Sequence, residues 1–258
     1  MNLSFKTHLK NTSIVLRTVM SAGALYSCAT YNVQKGKNLF EVKDSEIKSE
    51  NDFKLFLIGD AGNADEPHAQ KTLSLLKSKL DSADSNSMLI FLGDNIYPNG
   101  MPKETDKEYA SAKDKLENQL AITKNFKGKT FVIPGNHDWY NGLEGLNAQE
   151  GLVKKYLDDK KAFLPKNGCP IDDINVSKDI KLIAVDTEWV IANWDNYPGI
   201  NKNCNIKTRE DFFTEFKDLI IKNQGKKIIV ALHHPIISSG THAGFNSAKS
   251  HLFPLKSK

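Results

Sequence analysis

The sequence predicts an α/β fold, and two observations carry this prediction. Short apolar runs alternate with segments whose apolar residues recur at helical spacing, which is typical of a largely parallel sheet covered by helices. Five of the apolar runs also end in a short polar cluster. Because ligands of such sheets bind at the carboxyl ends of the strands, we expect these clusters to gather along one sheet edge. The clusters are GDAG at 59–62, GDNIY at 93–97, GNHD at 135–138, DT at 186–187 and HHP at 233–235.

Each predicted strand is a short apolar run that is bounded by polar or turn-forming residues. Runs of this length and composition are typical of strands that are buried on both faces. The predicted strands lie at 53–58, 88–92, 130–133, 181–185 and 227–232.

The predicted helices, at 68–80, 104–125 and 209–223, are less apolar and more charged than the strands. In the last of them Phe212, Phe216 and Leu219 share one face. Thr208 and Asp211 at its start are the residue types of a capping box. The segment 139–179 has few regular features, and we expect long surface loops there.

Length and charge limit the classes of function. The 258 residues suffice for one substantial domain, and 40% hydrophobic with 26% charged residues is ordinary for a globular protein. The formal net charge is +4. Three of the positive charges, Lys6, Lys10 and Arg17, lie in the first 27 residues, which contain no acidic residue. Without this segment the net charge of the chain is 4 − 3 = +1. A nearly neutral domain gives no support for nucleic acid as a partner.

The first 27 residues have the features of an export signal. A basic start and a weakly apolar middle precede Leu-Tyr-Ser-Cys at 25–28, which has the pattern of a bacterial lipobox. We therefore expect residues 1–27 to be a signal peptide of the lipoprotein type, with Cys28 lipidated as the only membrane attachment. A cleaved signal without lipid, or no signal, are the alternatives. The polar segment 28–51 is predicted to be a flexible tether, followed by one domain at 52–258.

Cys169 and Cys204 are the remaining cysteines. In an oxidising compartment they could form a disulfide, but two unpaired cysteines fit the sequence equally well. Neither belongs to a Cys-x-x-Cys pattern, so a thiolate zinc site is not expected.

Taken together, the polar clusters indicate a metal site. A single Gly-Asp after a strand is more often a turn, but here Asp, Asp, Tyr, Asn and His all follow strands. Carboxylate, phenol, amide and imidazole groups suit hard or borderline metal ions. Such a pocket indicates metal-assisted hydrolysis, most simply of a phosphate ester.

The ordered blocks GDAG, GDNIY, GNHD and HHP resemble those of the calcineurin-like metallophosphoesterases over residues 53–244. Tyr97 makes the chain similar to the purple acid phosphatase branch, near its small tartrate-resistant type. The resemblance implies an α/β/β/α sandwich of mixed sheets. It also implies an acid-phosphatase-like phosphomonoesterase, in which a hydroxide held between two metals attacks the phosphate of a small phosphorylated substrate in line.

The resemblance implies five metal ligands in this chain. Asp60 and Tyr97 would bind the first metal, typically Fe(III), and Asn136 and His233 the second, which is Fe, Zn or Mn. Asp94 would bridge the two.

Catalytic roles are also implied by the resemblance. His137 and His242 would face the substrate, and Asp138 would orient the imidazole of His137. His234 is expected to support the site rather than bind metal, and Asp186 to support the sheet edge. Trp139 and Tyr140 are expected to line the pocket, and for Trp139 packing in the core is the alternative.

The sequence departs from the family pattern at its end. The late Gly-His-x-His block, which supplies two further ligands, does not occur, nor do the family's last strands. We therefore expect a C-terminally truncated chain that is weakly active or inactive. A phosphodiesterase or nucleotide pyrophosphatase of the same fold, and a non-catalytic binding domain of the cell envelope, remain the alternative functions.

Overall fold

The structure, a computed structural model, describes residues 52–236. Within this range six strands form two three-stranded sheets. The first sheet is parallel and has the order β1-β2-β3, while in the second β4 pairs antiparallel with β5, which pairs parallel with β6. The strands are β1 (Lys54–Ile58), β2 (Ser87–Phe91), β3 (Lys129–Val132), β4 (Ile171–Asn175), β5 (Ile180–Val185) and β6 (Lys227–Leu232).

Four α-helices accompany the sheets. They are α1 (Pro67–Asp81), α2 (Tyr109–Leu120), α3 (Gly142–Tyr156) and α4 (Arg209–Lys222). None of the helices in the described part of the chain is both long and apolar enough to cross a bilayer.

The alternation of side chains along the strands creates two cores. Met88 and Ile90 of β2 pack in a cluster with Leu182 of β5, so this core lies between the sheets. Leu89 and Phe91, on the opposite face of β2, belong to the cluster that contains the apolar residues of the helices. The arrangement of helix, sheet, sheet and helix layers confirms the predicted α/β sandwich of mixed sheets.

The five predicted strands are present with ends shifted by at most one residue, but the expectation of one largely parallel sheet is wrong. Three strands belong to one sheet and two to the other, and β4 is antiparallel. The polar clusters consequently lie where the carboxyl ends of two packed sheets meet.

The expectation of long loops at 139–179 is also wrong, because α3 and β4 lie there. Glycines at 142, 145 and 151 interrupt the apolar pattern of α3. The strand β4 carries two consecutive acidic residues, whose charges are balanced by ion pairs between Lys166 and Asp172 and between Lys181 and Asp173. Both lysines lie outside the strand, so β4 could not be recognised from its own composition.

The predicted helices are present, although the segment predicted at 104–125 is helical only from Tyr109, with its α-helix ending at Leu120. The capping box at the start of α4 is confirmed. The Asp211 amide donates to Thr208 Oγ1, and the Thr208 amide donates to the Asp211 carboxylate, both at 3.1 Å.

Cys169 and Cys204 form a disulfide with a Cα–Cα distance of 5.5 Å, which resolves the alternative that the sequence left open. The bond joins the residues just before β4 to the segment that precedes α4. The expectations for residues 1–51, including the signal, the tether and Cys28, lie outside the described residues, as does His242.

Because the disulfide closes a loop between positions 35 apart in sequence, its reduction is expected to lower the free energy of unfolding by about 2–5 kcal/mol. The measurement is urea denaturation with and without reductant, with a chelator present. The double variant C169S/C204S is the control and should not respond to reductant. An equal response in that variant, or none in the native chain, would contradict the expectation.

Candidate metal centre

Four of the polar clusters bring metal-ligating side chains to one place. Asp60, Asp94 and Asn136 follow the three parallel strands of the first sheet, and His233 directly follows β6 of the second. The ligand atoms of Asp60, Asp94 and His233 all lie within 4.8 Å of one another. The packing of the two sheets therefore assembles the site.

The carboxylate of Asp94 is buried, and its two oxygens face different groups. Asp94 Oδ2 lies 2.8 Å from the hydroxyl of Tyr97, which is also 3.0 Å from Asp60 Oδ1. Asp94 Oδ1 lies 3.4 Å from Nε2 of His233. One carboxylate thus belongs to both groups of potential ligands, as a bridging ligand must.

The group around His233 has the chemistry of a cation site. His233 Nδ1 lies 2.9 Å from the Leu92 carbonyl oxygen, which can only accept, so Nδ1 carries the proton. In the neutral ring Nε2 then presents a lone pair to Asn136 Oδ1 at 3.2 Å and to Asp94 Oδ1. Three acceptor atoms that converge without a hydrogen between them fit a positive ion.

The group around Tyr97 fits a harder ion, since its donors are a phenol and two carboxylates. Burial raises the pKa of the Tyr97 hydroxyl, and the Asp94 carboxylate raises it further. Without a metal the hydroxyl is therefore protonated and donates its one hydrogen to the nearer carboxylate oxygen, Asp94 Oδ2. Ligation of a metal by the phenolate would release this proton, which would couple metal binding here to pH.

The backbone at the site is held in an unusual conformation. Asp60 and Asp94 have φ angles of 56° and 54°, in the left-handed region that side chains other than glycine rarely adopt. Strain of this kind concentrates at functional sites. Gly135 is required by close approach, because a Cβ there would lie 2.3 Å from Asp94 Oδ1.

His137 lies beside the ligands. Its Nδ1 lies 2.5 Å from the Pro98 carbonyl oxygen, and its Nε2 lies 3.9 Å from Asp94 Oδ2. The ring stands between Tyr97 and Tyr140, with centroid distances of 4.5 and 4.6 Å. The ring is thus fixed with Nε2 toward the ligand group.

The contact that we expected between Asp138 and the imidazole of His137 is made by the Pro98 carbonyl instead. The Asp138 carboxylate is fully buried and accepts hydrogen bonds from the Gly135 amide at 2.8 Å and from the amide and side chain of Asn95 at 3.0 Å. Burial raises the pKa of Asp138 to about 6, against the effect of these donors. Asp138 therefore joins the loops that follow β2 and β3.

Asp186 has the supporting role that we expected. It is buried, accepts hydrogen bonds from Trp139 Nε1 at 2.8 Å and from the Trp189 amide at 3.0 Å, and takes no part in the ligand group. Burial raises its pKa to about 7. Because Trp139 is buried and donates to Asp186, its role is packing rather than lining the pocket.

His234 and Glu188 form a second polar group in the wall of the cavity. His234 Nδ1 lies 2.7 Å from Thr187 Oγ1, and its Nε2 lies 3.8 Å from Glu188 Oε2. His234 is thus placed beside the ligands, as expected of a supporting residue. Sequence reasoning missed Glu188, although the carboxylate lies only two positions beyond Asp186.

These side chains enclose a cavity of about 680 Å³. Within the described residues its lining is polar and aromatic and contains no lysine or arginine. The lining residues are Asp60, Asp94, Tyr97, Asn136, His137, Tyr140, Glu188, His233, His234 and Pro235.

Replacing Gly135 by Ala is expected to weaken binding of Zn²⁺ or Mn²⁺ at least tenfold, because the added Cβ displaces the Asp94 carboxylate. Isothermal titration of the metal-free protein measures this. Gly151→Ala is the matched control, since a Cβ there meets nothing within 4 Å, and it should bind like the native chain. Native affinity in Gly135→Ala would show that the ligand group is not the metal site.

Comparison with known proteins identifies one family for this chain. No curated protein sequence matches the chain. A solved structure that resembles it is GAP50, the anchor in the inner membrane complex of Plasmodium, with 18% sequence identity and a TM-score of 0.45. The alignment covers 78% of this chain and 60% of that one, so this chain spans less than two thirds of that protein's length. The model of the calcineurin-like phosphoesterase family matches residues 53–256, and the chain therefore belongs to this family.

Proposed function

We propose that the protein hydrolyses small phosphate monoesters with two metal ions and is of the acid phosphatase type. The observation that carries the proposal is the position of Asp94, whose two carboxylate oxygens face two separate ligand groups. Family membership supports hydrolysis of phosphoesters by a metal centre. Two bound metals supply positive charge that polarises the phosphoryl group and activates water.

The residues divide into two ligand groups that share Asp94. Asp60 and Tyr97 form one group, and Asn136 and His233 form the other. The phenol of Tyr97 supports assignment to the purple acid phosphatase branch and Fe(III) in the first group, with Fe, Zn or Mn in the second. A visible phenolate-to-iron charge-transfer band is the signature of that assignment.

His137 is proposed to act on the phosphoryl group. Because Nδ1 is engaged by the Pro98 carbonyl, Nε2 is the nitrogen that faces the cavity. As an imidazolium, the ring donates Nε2–H to a phosphoryl oxygen or gives its proton to the leaving group. Both roles need a hydrogen on Nε2 while Nδ1 is engaged by the Pro98 carbonyl. His242 is proposed as the second residue that faces the substrate.

The charges of the described cavity wall disfavour a substrate that carries a second phosphate. Glu188 adds a carboxylate to those of Asp60 and Asp94, and no lysine or arginine of the described residues lines the wall. Among the described residues of the wall, a second phosphate on the substrate would find no positively charged lysine or arginine side chain. This favours small monoesters over nucleotide pyrophosphates, which are the alternative substrates in the same fold.

The protein is expected to hydrolyse p-nitrophenyl phosphate faster than bis(p-nitrophenyl) phosphate. Asp94→Asn is expected to lower the monoester rate at least a hundredfold, because the bridging carboxylate becomes an amide with one ligand oxygen. Steady-state rates at several pH values with metal analysis measure this. Glu66→Gln, at an exposed position outside the cavity, is the control. Preference for the diester would favour a phosphodiesterase. Stoichiometric metal without turnover would favour a non-catalytic binding domain.

We also propose that the protein is exported and anchored to the bacterial cell envelope by lipid on Cys28, or secreted. The disulfide between Cys169 and Cys204 supports an oxidising compartment. Bacterial expression with a labelled fatty acid should label the native chain and Cys169→Ser, but not Cys28→Ser. Equal labelling of all three would contradict attachment at Cys28.

A further inference from the structure

Tyr140 has an exposed ring but an engaged hydroxyl. The residue is 55% exposed and lines the cavity. The side-chain amide of Asn136 donates from Nδ2 to the Tyr140 hydroxyl oxygen at 2.9 Å. The contact joins a residue without an evident packing role to a proposed metal ligand.

This hydrogen bond fixes the end of Asn136 that does not bind metal. The other end, Oδ1, lies 3.2 Å from Nε2 of His233 and is the atom that can ligate a cation. An amide nitrogen has no lone pair available for a metal, so the orientation of the amide decides whether Asn136 is a ligand. With Nδ2 held by Tyr140, the amide plane is already set before an ion binds.

The ring of Tyr140 makes a second contact, with His137. The two ring centroids are 4.6 Å apart, and Tyr97 contacts the same imidazole from 4.5 Å. The hydroxyl of Tyr140 thus acts on a metal ligand, while its ring confines the imidazole that faces the substrate.

The backbone around Tyr140 is anchored independently of its side chain. The preceding residue, Trp139, is buried and donates to Asp186. The following residue, Asn141, donates from Nδ2 to the Asn99 carbonyl oxygen at 2.7 Å. Removing the Tyr140 hydroxyl therefore leaves the local fold intact, and its loss acts on the site alone.

We propose that Tyr140 is a positioning residue, whose hydroxyl orients Asn136 for the second metal and whose ring orients His137. The inference rests on the proposed two-metal function. It assigns to Tyr140 a task that neither family membership nor the ligand set requires.

The test compares Tyr140→Phe with the native chain by competition between the metal-free protein and a chelating indicator for Zn²⁺. Tyr140→Phe is expected to lower the Zn²⁺ affinity of one of the two sites about tenfold, which is a typical effect of removing a hydrogen bond that orients a metal ligand. The Zn²⁺ affinity of the other site and the melting temperature should not change. Tyr156→Phe, an equally conservative change at an exposed position of α3, is the control. It should bind both ions like the native chain.

A double-mutant cycle separates orientation from a general structural effect. Asn136→Asp has an oxygen at both ends of the side chain, so its ligation does not depend on which end Tyr140 holds. Adding Tyr140→Phe to Asn136→Asp should therefore weaken the site much less than tenfold. An equal loss in both backgrounds, or equal weakening of both metal sites, would overturn the inference.

The failure of this inference is distinguishable from the failure of the proposed function. If the native chain binds two ions and Tyr140→Phe binds them equally well, the role of Tyr140 is wrong and the function stands. If the native chain binds fewer than two ions, the function and the inference fall together.

Discussion

The site depends on one buried carboxylate, that of Asp94, which lies between two sets of ligand atoms. Burying a charge is costly unless it is paired or hydrogen-bonded. Here the Tyr97 hydroxyl donates to one oxygen and the His137 amide donates to the other. Nε2 of His233, which is an acceptor in the neutral ring, lies 3.4 Å from that second oxygen, and the acceptor Oδ1 of Asn136 lies 3.2 Å from Nε2. Cations on both sides of Asp94 would balance this excess of acceptors.

Two further buried carboxylates, those of Asp138 and Asp186, hold the loops that carry these candidate ligands. Asp138 joins the loop after β2 to the loop after β3 through Asn95 and Gly135. Asp186, at the end of β5 in the second sheet, reaches Trp139 in the loop after β3 of the first. Burial raises the pKa of both carboxyls, because it disfavours their charged forms. The hydrogen bonds from the loops offset part of this free-energy cost and hold both carboxylates in position.

Much of this candidate site was predictable because the side chains that can ligate metals stand at the ends of strands. Asp60, Asp94, Tyr97, Asn136 and His233 each follow an apolar run closely, so a local pattern sufficed to find them. The division of these residues between two sheets was not predictable, because the apolar composition of a strand does not specify which other strands it pairs with.

Contacts between residues distant in the chain explain the errors. The carbonyl of Pro98 contacts His137 where Asp138 was expected to do so. Because every residue has a backbone carbonyl, a sequence pattern cannot indicate such a contact. Glu188 enters the cavity only because the chain turns back after β5. The strand β4 is a different case, because its acidic residues pair with lysines that are close in sequence but lie outside the strand.

The most direct test of a two-metal centre around Asp94 is a crystal structure of the protein loaded with Zn²⁺ or Mn²⁺, with anomalous scattering recorded at the metal edge. The account predicts two anomalous peaks about 3.5–4 Å apart. One should lie beside Asp60 and Tyr97 and the other beside Asn136 and His233, each within bonding distance of a different Asp94 oxygen. A single peak, or two peaks that do not share Asp94, would contradict it.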